Sequence, residues 1–278
     1  MVRIVSDTST LYSSAQAREA GFVVAPLSVT INNQTYLEFD EISSQNFVDI
    51  IYQGHMPTSS QPAVGQVAAL YEEFADDEIL DIAMADGLSG TYNSAVAAAE
   101  LCENSSRITV LNSRTLCGPH RYMVEQAVRW ASEGLSRAEI LEKLEALMTT
   151  EKSYLMPDDF GYLRRGGRLS PLVSLVGQAA HLAPMMTLTE DARQLTVAGV
   201  RRSFQQAIRQ VGKNLADRGV GKDWRVYITH AAASEKAEQA LKILQEIMPE
   251  AIYEILGLSP AFITQGGPRC VAVQAVHC

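Results

Sequence analysis

Apolar positions in the first half of this 278-residue chain follow two alternating periods. Short runs dense in Val, Ile and Leu predict strands at Val2–Ser6, Phe22–Ile31, Ile79–Ala85 and Ile108–Asn112. Between and after them the spacing becomes helical. Val64, Val67, Ala68, Tyr71, Phe74 and Ala75 share one face. Tyr92, Ala95, Val96, Ala99 and Cys102 share another. Further helices are predicted at Pro119–Ser132 and Arg137–Thr149, the second carrying Ile140, Leu144, Leu147 and Met148 as a stripe. Strands alternating with helices predict a mainly parallel sheet covered on both faces.

The pattern changes near residue 150. Asp158–Ser170 is polar, rich in Arg and Gly, and reads as loop. A helix is predicted at Pro171–Leu182, then a hairpin of Met185–Leu188 and Leu195–Val200. Helices at Phe204–Arg218 and Glu235–Met248 alternate with strands at Arg225–His230, Ile252–Leu256 and Cys270–Val276. The expected fold class is α/β with two domains. Residues 1–152 form a three-layer α/β/α unit with a mainly parallel sheet. Residues 153–278 form an α+β unit with a mixed or antiparallel sheet.

Composition narrows the function. With 47% hydrophobic residues the chain can bury a sizeable core. The charge of -9 argues against a nucleic-acid partner and against a polybasic membrane patch. No run of about 18 apolar residues is present, so no membrane span is expected. Cys102, Cys117, Cys270 and Cys278 are scattered without a CxxC, which favours reduced thiols in a cytoplasm over a disulfide framework or a zinc site. The N-terminus runs straight into a strand and carries no signal-peptide pattern. No metal or cofactor is expected.

Two hydroxyl-rich turns are the strongest chemical signal: Ser59-Ser60-Gln61-Pro62 and Leu88-Ser89-Gly90-Thr91-Tyr92. Each is expected to open a helix, where unpaired N–H groups and the positive end of a dipole favour an anion. Capping alone is the ordinary role of such serines. Two adjacent hydroxyls at Ser59 and Ser60 leave one free, and Gly90 lets a ligand approach the backbone. Together they predict a cradle for a carboxylate or phosphate that is held rather than converted. Asp7 and Asp86, each just after a strand, are expected to hold loops by accepting backbone N–H groups. Arg164-Arg165-Gly166-Gly167-Arg168 and the Arg201-Arg202 pair are solvated loop charge or grips for an anion or partner. His55, His120, His181, His230 and His277 show no metal spacing, and no GxSxG elbow is present. The competing enzyme reading uses Ser89 as nucleophile or Arg168 as electrostatic stabiliser on a small carboxylate or phosphate. A histidine or carboxylate in reach of Ser89 would favour it.

These residues together resemble the DegV family across nearly the whole chain. Val5-Ser6-Asp7-Thr8-Ser9 is similar to its V-T-D-S-T start, and Ser59-Ser60-Gln61-Pro62 to its T-S-Q-P. Leu88-Ser89-Gly90-Thr91-Tyr92 matches L-S-G-T-Y. Asp158, Tyr162-Leu163 and Gly166-Gly167-Arg168-Leu169-Ser170 match D-x-L-x-Y-L-x-x-G-G-R-I-S. The resemblance implies a long-chain fatty acid buried between two domains, its carboxylate at Ser59, Ser60, Ser89, Gly90 and Gln265. It implies Arg168, Arg201 and Arg202 on the head-group or partner side. It also implies a non-enzymatic role, presenting the bound acid to a separate fatty acid kinase. Two departures stand out. Ser59 replaces a threonine and keeps the hydroxyl. Gln265-Gly266-Gly267-Pro268-Arg269 replaces H-x-G-P-G, and glutamine donates a hydrogen bond without carrying a proton as histidine does. Met156, Met185, Met186 and the Leu172–Leu182 segment are the expected walls of an acyl tunnel. A third reading is a partner-facing regulator that needs lipid only to fold.

Overall fold

A computed structural model describes residues 1–171, 173 and 182–278. The first half builds a parallel sheet from β1 (Val2–Asp7), β2 (Val23–Ala25), β6 (Glu78–Ala83) and β7 (Ile108–Asn112), in the order β2-β1-β6-β7. Helices α1 (Ser14–Glu19), α5 (Cys117–Ser132) and α6 (Arg137–Met148) cover one face, where Ala17, Met123, Val124, Ile140 and Leu144 meet Ile4, Leu80 and Ile82. Helices α3 (Val64–Glu72) and α4 (Thr91–Leu101) cover the other, where Val67, Tyr71, Ala95 and Ala98 meet Val5 and Ile79. This is the three-layer arrangement read from the alternating periods.

A small antiparallel sheet is formed by β3 (Ser28–Ile31), β4 (Gln34–Leu37) and β5 (Thr58–Ser60), with α2 (Ser44–Tyr52) between β4 and β5 in the chain. The single strand expected at Phe22–Ile31 is therefore two strands in different sheets. Pro26 lies between them, and its missing N–H and fixed φ make continuation of a paired ladder costly.

The second half forms a mixed sheet from β8 (Lys152–Met156), β9 (Ala183–Leu188), β10 (Leu195–Arg201), β11 (Trp224–His230), β12 (Ile252–Gly257) and β13 (Val271–His277). Its order is β10-β9-β8-β13-β11-β12, antiparallel except for the β11–β12 pair. Helices α8 (Phe204–Ala216) and α9 (Ser234–Ile247) pack Ile208, Val211, Leu215, Ala240 and Leu244 against Val226, Ile228, Val271 and Val273. The opposite face turns toward the first half. There it meets α5, α7 (Phe160–Gly166) and α10 (Pro260–Gly266).

Two further readings are corrected, and a third is not tested. Asp158–Ser170 is not all loop. Asp159 accepts the Gly161 N–H at 2.7 Å and opens α7, and Gly167 closes it at φ 70°. Helices α1, α2 and α10 lie where no helix was read. With 6 and 7 residues, α1 and α10 are too short to establish a period, whereas α2 carries Phe47, Val48 and Ile51 at helical spacing and was overlooked. The helix expected at Pro171–Leu182 falls almost wholly outside the described residues.

Helix α5 joins the two sheets. On one side Met123, Val124 and Ala127 enter the parallel-sheet core, and on the other Tyr122 packs with Tyr227 and Val276. Its first turn is capped from the mixed sheet. Gly118 N–H donates to Gln274 Oε1 at 3.2 Å, while Gln274 Nε2 donates to Leu116 O at 3.0 Å and Ser153 Oγ at 2.7 Å.

Buried charge in the parallel sheet sets a pH dependence. The Tyr71 hydroxyl donates to Asp81 at 2.5 Å in the middle of β6. Burial, with the charge of Asp7 adding to it, pushes the Asp81 carboxyl up from 3.8 to about 7 against the pull of Tyr71. A carboxyl raised by folding keeps a proton that the unfolded chain has released. Stability therefore falls as pH rises from the ordinary carboxyl range to about 7. The Asp81 contribution to this fall is on the order of 4 kcal/mol. Asp81→Asn keeps an acceptor for Tyr71 and removes the charge. Urea midpoints compared at about pH 5 and pH 8 should fall less for the variant than for the parent, and equal falls would contradict the assignment.

Candidate functional site

Asp7 ends β1 at the point where strand order reverses, with β2 on one side and β6 on the other. Ligands of such sheets bind beyond the carboxyl ends of the strands at this switch. Asp7 Oδ1 accepts the Ser9 N–H at 2.8 Å and Oδ2 accepts the Met84 N–H at 3.0 Å. One carboxylate thus holds the ends of both central strands, which is the loop-holding role expected of it. Beside it Ser9 Oγ lies 2.6 Å from His120 Nδ1, and His120 Nε2 lies 2.8 Å from Ile82 O. Burial holds His120 below its ordinary value, against the charge of Asp7. This serine–histidine pair is fully buried and does not line the cavity, so it is a structural tie.

Beyond the strand ends lies a cavity of about 370 Å³ between the two sheets. That is within the range of small-ligand sites, roughly 300–1,000 Å³. Its floor is the inner face of the mixed sheet. Leu155, Met186, Leu188, Cys270 and Ala272 point into it by strand alternation. Its roof comes from Leu27, Met84, Leu116 and Cys117, and from Leu258, Ala261 and Phe262 around α10. Ser153 and Gln274 add a polar patch that sequence reasoning missed. Gln274 gave no signal because it lies in a strand of otherwise ordinary alternation. Period 2 also corrects the methionine expectation. Met186 lines the cavity, whereas Met185 and Met156 face the α8–α9 core.

The polar end gathers the predicted turns. Ser59, Ser60, Ser89, Gly90, Arg168 and Gln265 all line the cavity, although they come from both halves of the chain. Gln265 Nε2, on α10, donates to Ser59 Oγ at 3.1 Å. Arg168 Nε donates to Leu88 O at 3.0 Å, and its Nη1 donates to Gly166 O. Arg168 thus fastens the second half onto the turn that carries Ser89. Ser89 Oγ accepts the Thr91 N–H at 3.3 Å and lies 2.8 Å from Thr91 Oγ1. Neither a histidine nor a carboxylate is among its hydrogen-bond partners in the described residues. The contact that would favour a Ser89 nucleophile is therefore not found among the described residues.

One helix-opening expectation is corrected. Ser59 and Ser60 lie in β5, paired with Val29 and Ser28, and α3 begins at Val64. Pro62 biases Gln61 to extended backbone, which carries the strand conformation past the serines and delays the helix. The Ser89-Gly90 turn does open a helix, with Gly90 as the residue before α4. Arg201 and Arg202 are not brought to the cavity. They lie at the other end of β10 from Leu195, where Arg201 donates to Gln210 Oε1 at 2.6 Å and Arg202 is exposed.

Gln61 stands in the first turn motif, but the sequence reading gave it no role of its own. Its Nε2 donates to Ser94 Oγ at 2.8 Å, and its amide fills the space over Gly90. Asp86, expected as a loop holder, pairs instead with Arg193 at 2.5 Å. This pair pins the tip of the β9–β10 hairpin onto the turn that ends in Ser89. Among the described residues no group of three His, Cys, Asp or Glu side chains gathers as metal ligands. Burial keeps both cavity thiols neutral, Cys270 pushed up to about 12 and Cys117 well above its ordinary value.

The chain belongs to the DegV family: the family described as "Uncharacterised protein, DegV family" matches residues 1–277. A DegV domain-containing protein of Staphylococcus aureus is 28% identical over 275 residues, covering 97% of this chain and 96% of its own. One from Lactococcus lactis is 29% identical over 276 residues, covering 98% of each. Among solved structures, a DegV of Bacillus subtilis described as a fatty acid binding protein is 25% identical. It superposes with a TM-score of 0.87 over 100% of this chain and 99% of its own. A DegV family protein of Eubacterium eligens loaded with heptadecanoic acid has the same fold, with a TM-score of 0.86 at 18% identity over 100% of each chain.

Two glycines separate packing from site geometry. A Cβ at Gly87 would lie 2.1 Å from Arg193 Cα and 2.6 Å from Arg193 O, which are backbone atoms. A Cβ at Gly90 would lie 1.9 Å from Gln61 Oε1, the end of a flexible side chain. Gly87→Ala should lift the hairpin and speed proteolysis between Thr189 and Gln194. Gly90→Ala should leave that cleavage unchanged and stability within about 1 kcal/mol of the parent, while displacing Gln61. Limited proteolysis and urea denaturation of both variants distinguish these outcomes.

Proposed function

We propose that this chain binds one long-chain fatty acid, with its carboxylate at Ser59, Ser60, Ser89, the Gly90 N–H, Gln265 and Arg168, and its acyl chain in the apolar part of the cavity. The observation that carries the reading is the composition of one cavity. Hydroxyl, amide and guanidinium donors from four separated segments gather at one end, and leucine, methionine and alanine line the rest. Each buried CH2 contributes about 0.8 kcal/mol, so affinity comes mainly from the tail while the donors fix its direction. The relatives described as fatty-acid-binding support the ligand class.

In this reading residues 1–152 supply the serine turns and residues 153–278 supply Arg168, Gln265 and the floor. The protein acts as a carrier without chemistry of its own, in keeping with a Ser89 hydroxyl that has no histidine or carboxylate partner among the described residues. It works in the cytoplasm and presents the acid to a separate fatty acid kinase. Gln265 in place of a histidine grips the head group without offering a titratable proton. The Arg201-Arg202 pair, with Arg202 exposed, belongs to the partner side.

Ser89→Ala should weaken fatty-acid binding by about 1–3 kcal/mol, the loss of a hydrogen bond to a charged group. Displacement of a fluorescent fatty acid measures it. Unchanged affinity in a folded variant would contradict the head-group assignment.

A further inference from the structure

Glu38 is a buried carboxylate that neither half of the proposed site uses directly. It follows β4 and reaches across to the start of α10. Its Oε2 accepts the Ala261 N–H at 2.8 Å. Its Oε1 accepts the Thr8 hydroxyl at 2.5 Å, and Thr8 Oγ1 in turn accepts the Leu27 N–H at 3.0 Å. Ser259, the residue before α10, makes no side-chain cap to the helix's own N–H groups. Glu38 fills that place from another part of the chain. A second tie, Ser44 Oγ donating to Leu258 O at 2.7 Å, holds the approach to the same helix.

The consequence reaches the cavity. Leu258, Ala261, Phe262 and Gln265 all line it. Gln265 stands one helical turn beyond Ala261, and its amide meets Ser59. Leu27, held through Thr8, lines the facing wall. One carboxylate therefore fixes both a wall residue and the helix that sets the polar end.

We propose that Glu38 is a positioning residue for ligand binding: in its ionised form it clamps α10 and so places Gln265 against Ser59, and loss of its charge loosens the head-group grip. This rests on the fatty-acid-binding reading. Ionised, Glu38 accepts charge-assisted bonds from both Thr8 and Ala261, which are about twice as strong as neutral ones. Protonated on Oε1, it must donate to Thr8, and the Thr8 hydrogen loses its acceptor. The charged or titratable groups facing it are Asp7 at the end of β1 and Cys117 at the start of α5. Burial raises the Glu38 carboxyl from 4.5 to about 7, with the charge of Asp7 adding and the bonds from Thr8 and Ala261 opposing. The cavity lining itself holds no acid and no histidine among the described residues, and its two thiols stay neutral. A fatty acid's own carboxyl titrates in the ordinary carboxyl range, well below neutrality. The Asp81 carboxyl in β6 is also pushed up to about 7, so it is the part of the pH response lost in Glu38→Gln that reports Glu38.

The test measures affinity for a fluorescent fatty acid from about pH 6 to pH 8 on the full chain. The parent should bind about fivefold more tightly at the upper end, the low edge of typical coupling between sites. Folded Glu38→Gln should bind with a smaller pH response. Thr8→Val removes a bond that lowers the Glu38 pKa, so its midpoint should move to higher pH. This second variant decides the matter if the first does not fold. Binding by the parent that is flat with pH, or a response that survives undiminished in folded Glu38→Gln, overturns the inference and leaves the fatty-acid reading standing. Absence of fatty-acid binding at every pH overturns that reading and the inference with it.

Discussion

The Asp7 carboxylate is the tie on which the site depends. It binds the N–H of Ser9 with one oxygen and the N–H of Met84 with the other. Two parallel strands are thereby locked at their carboxyl ends, at the place where the sheet changes direction. The chain leaving β6 runs through Met84, which lines the cavity, to the turn at Ser89 and Gly90. The chain leaving β1 runs into Thr8, which holds Glu38 and Leu27. An acceptor-only group with two oxygens suits this task, since it satisfies two backbone donors that would otherwise be buried without partners.

The halves of the molecule are joined by polar contacts that cross the cavity rim and by apolar contacts behind it. Arg168 reaches Leu88, Gln265 reaches Ser59, Arg193 reaches Asp86, and Gln274 caps α5. Behind them, Leu27, Val29, Phe47, Met84, Leu258 and Ile263 form one continuous cluster drawn from both halves. The apolar cluster supplies non-directional cohesion. The polar contacts set register, because each has one geometry that satisfies it. A cavity between two such halves can be apolar for most of its length and still present donors at a defined end.

Much of this was legible in the chain, and the failures have identifiable causes. The parallel sheet and its covering helices follow from periods sustained over ten or more residues, as at Val64–Ala75 and Tyr92–Cys102. The serine turns were found because Ser, Thr and Gly cluster there against an apolar background. Their backbone was half misread, since Ser59 and Ser60 pair as a strand and only Ser89-Gly90 opens a helix. Gln265 was located by the family resemblance, because its local sequence has no signal of its own. Glu38, Gln61 and Gln274 were given no role of their own for one reason. Their importance lies in partners 223, 33 and 158 residues away along the chain, Ala261, Ser94 and Leu116, and local pattern carries no information about such pairs. Met185 and Met186 show the same limit at the smallest scale: adjacent residues of one type, one in the core and one in the cavity, separated only by strand alternation.

The central claim is that the cavity holds one fatty acid per chain. Native mass spectrometry of freshly purified protein, followed by solvent extraction of whatever it carries, tests this most directly. The account predicts a single mass shift that matches one long-chain fatty acid, recovered intact on extraction and exchangeable for an added one. A protein that is isolated empty and refuses added fatty acid would contradict it.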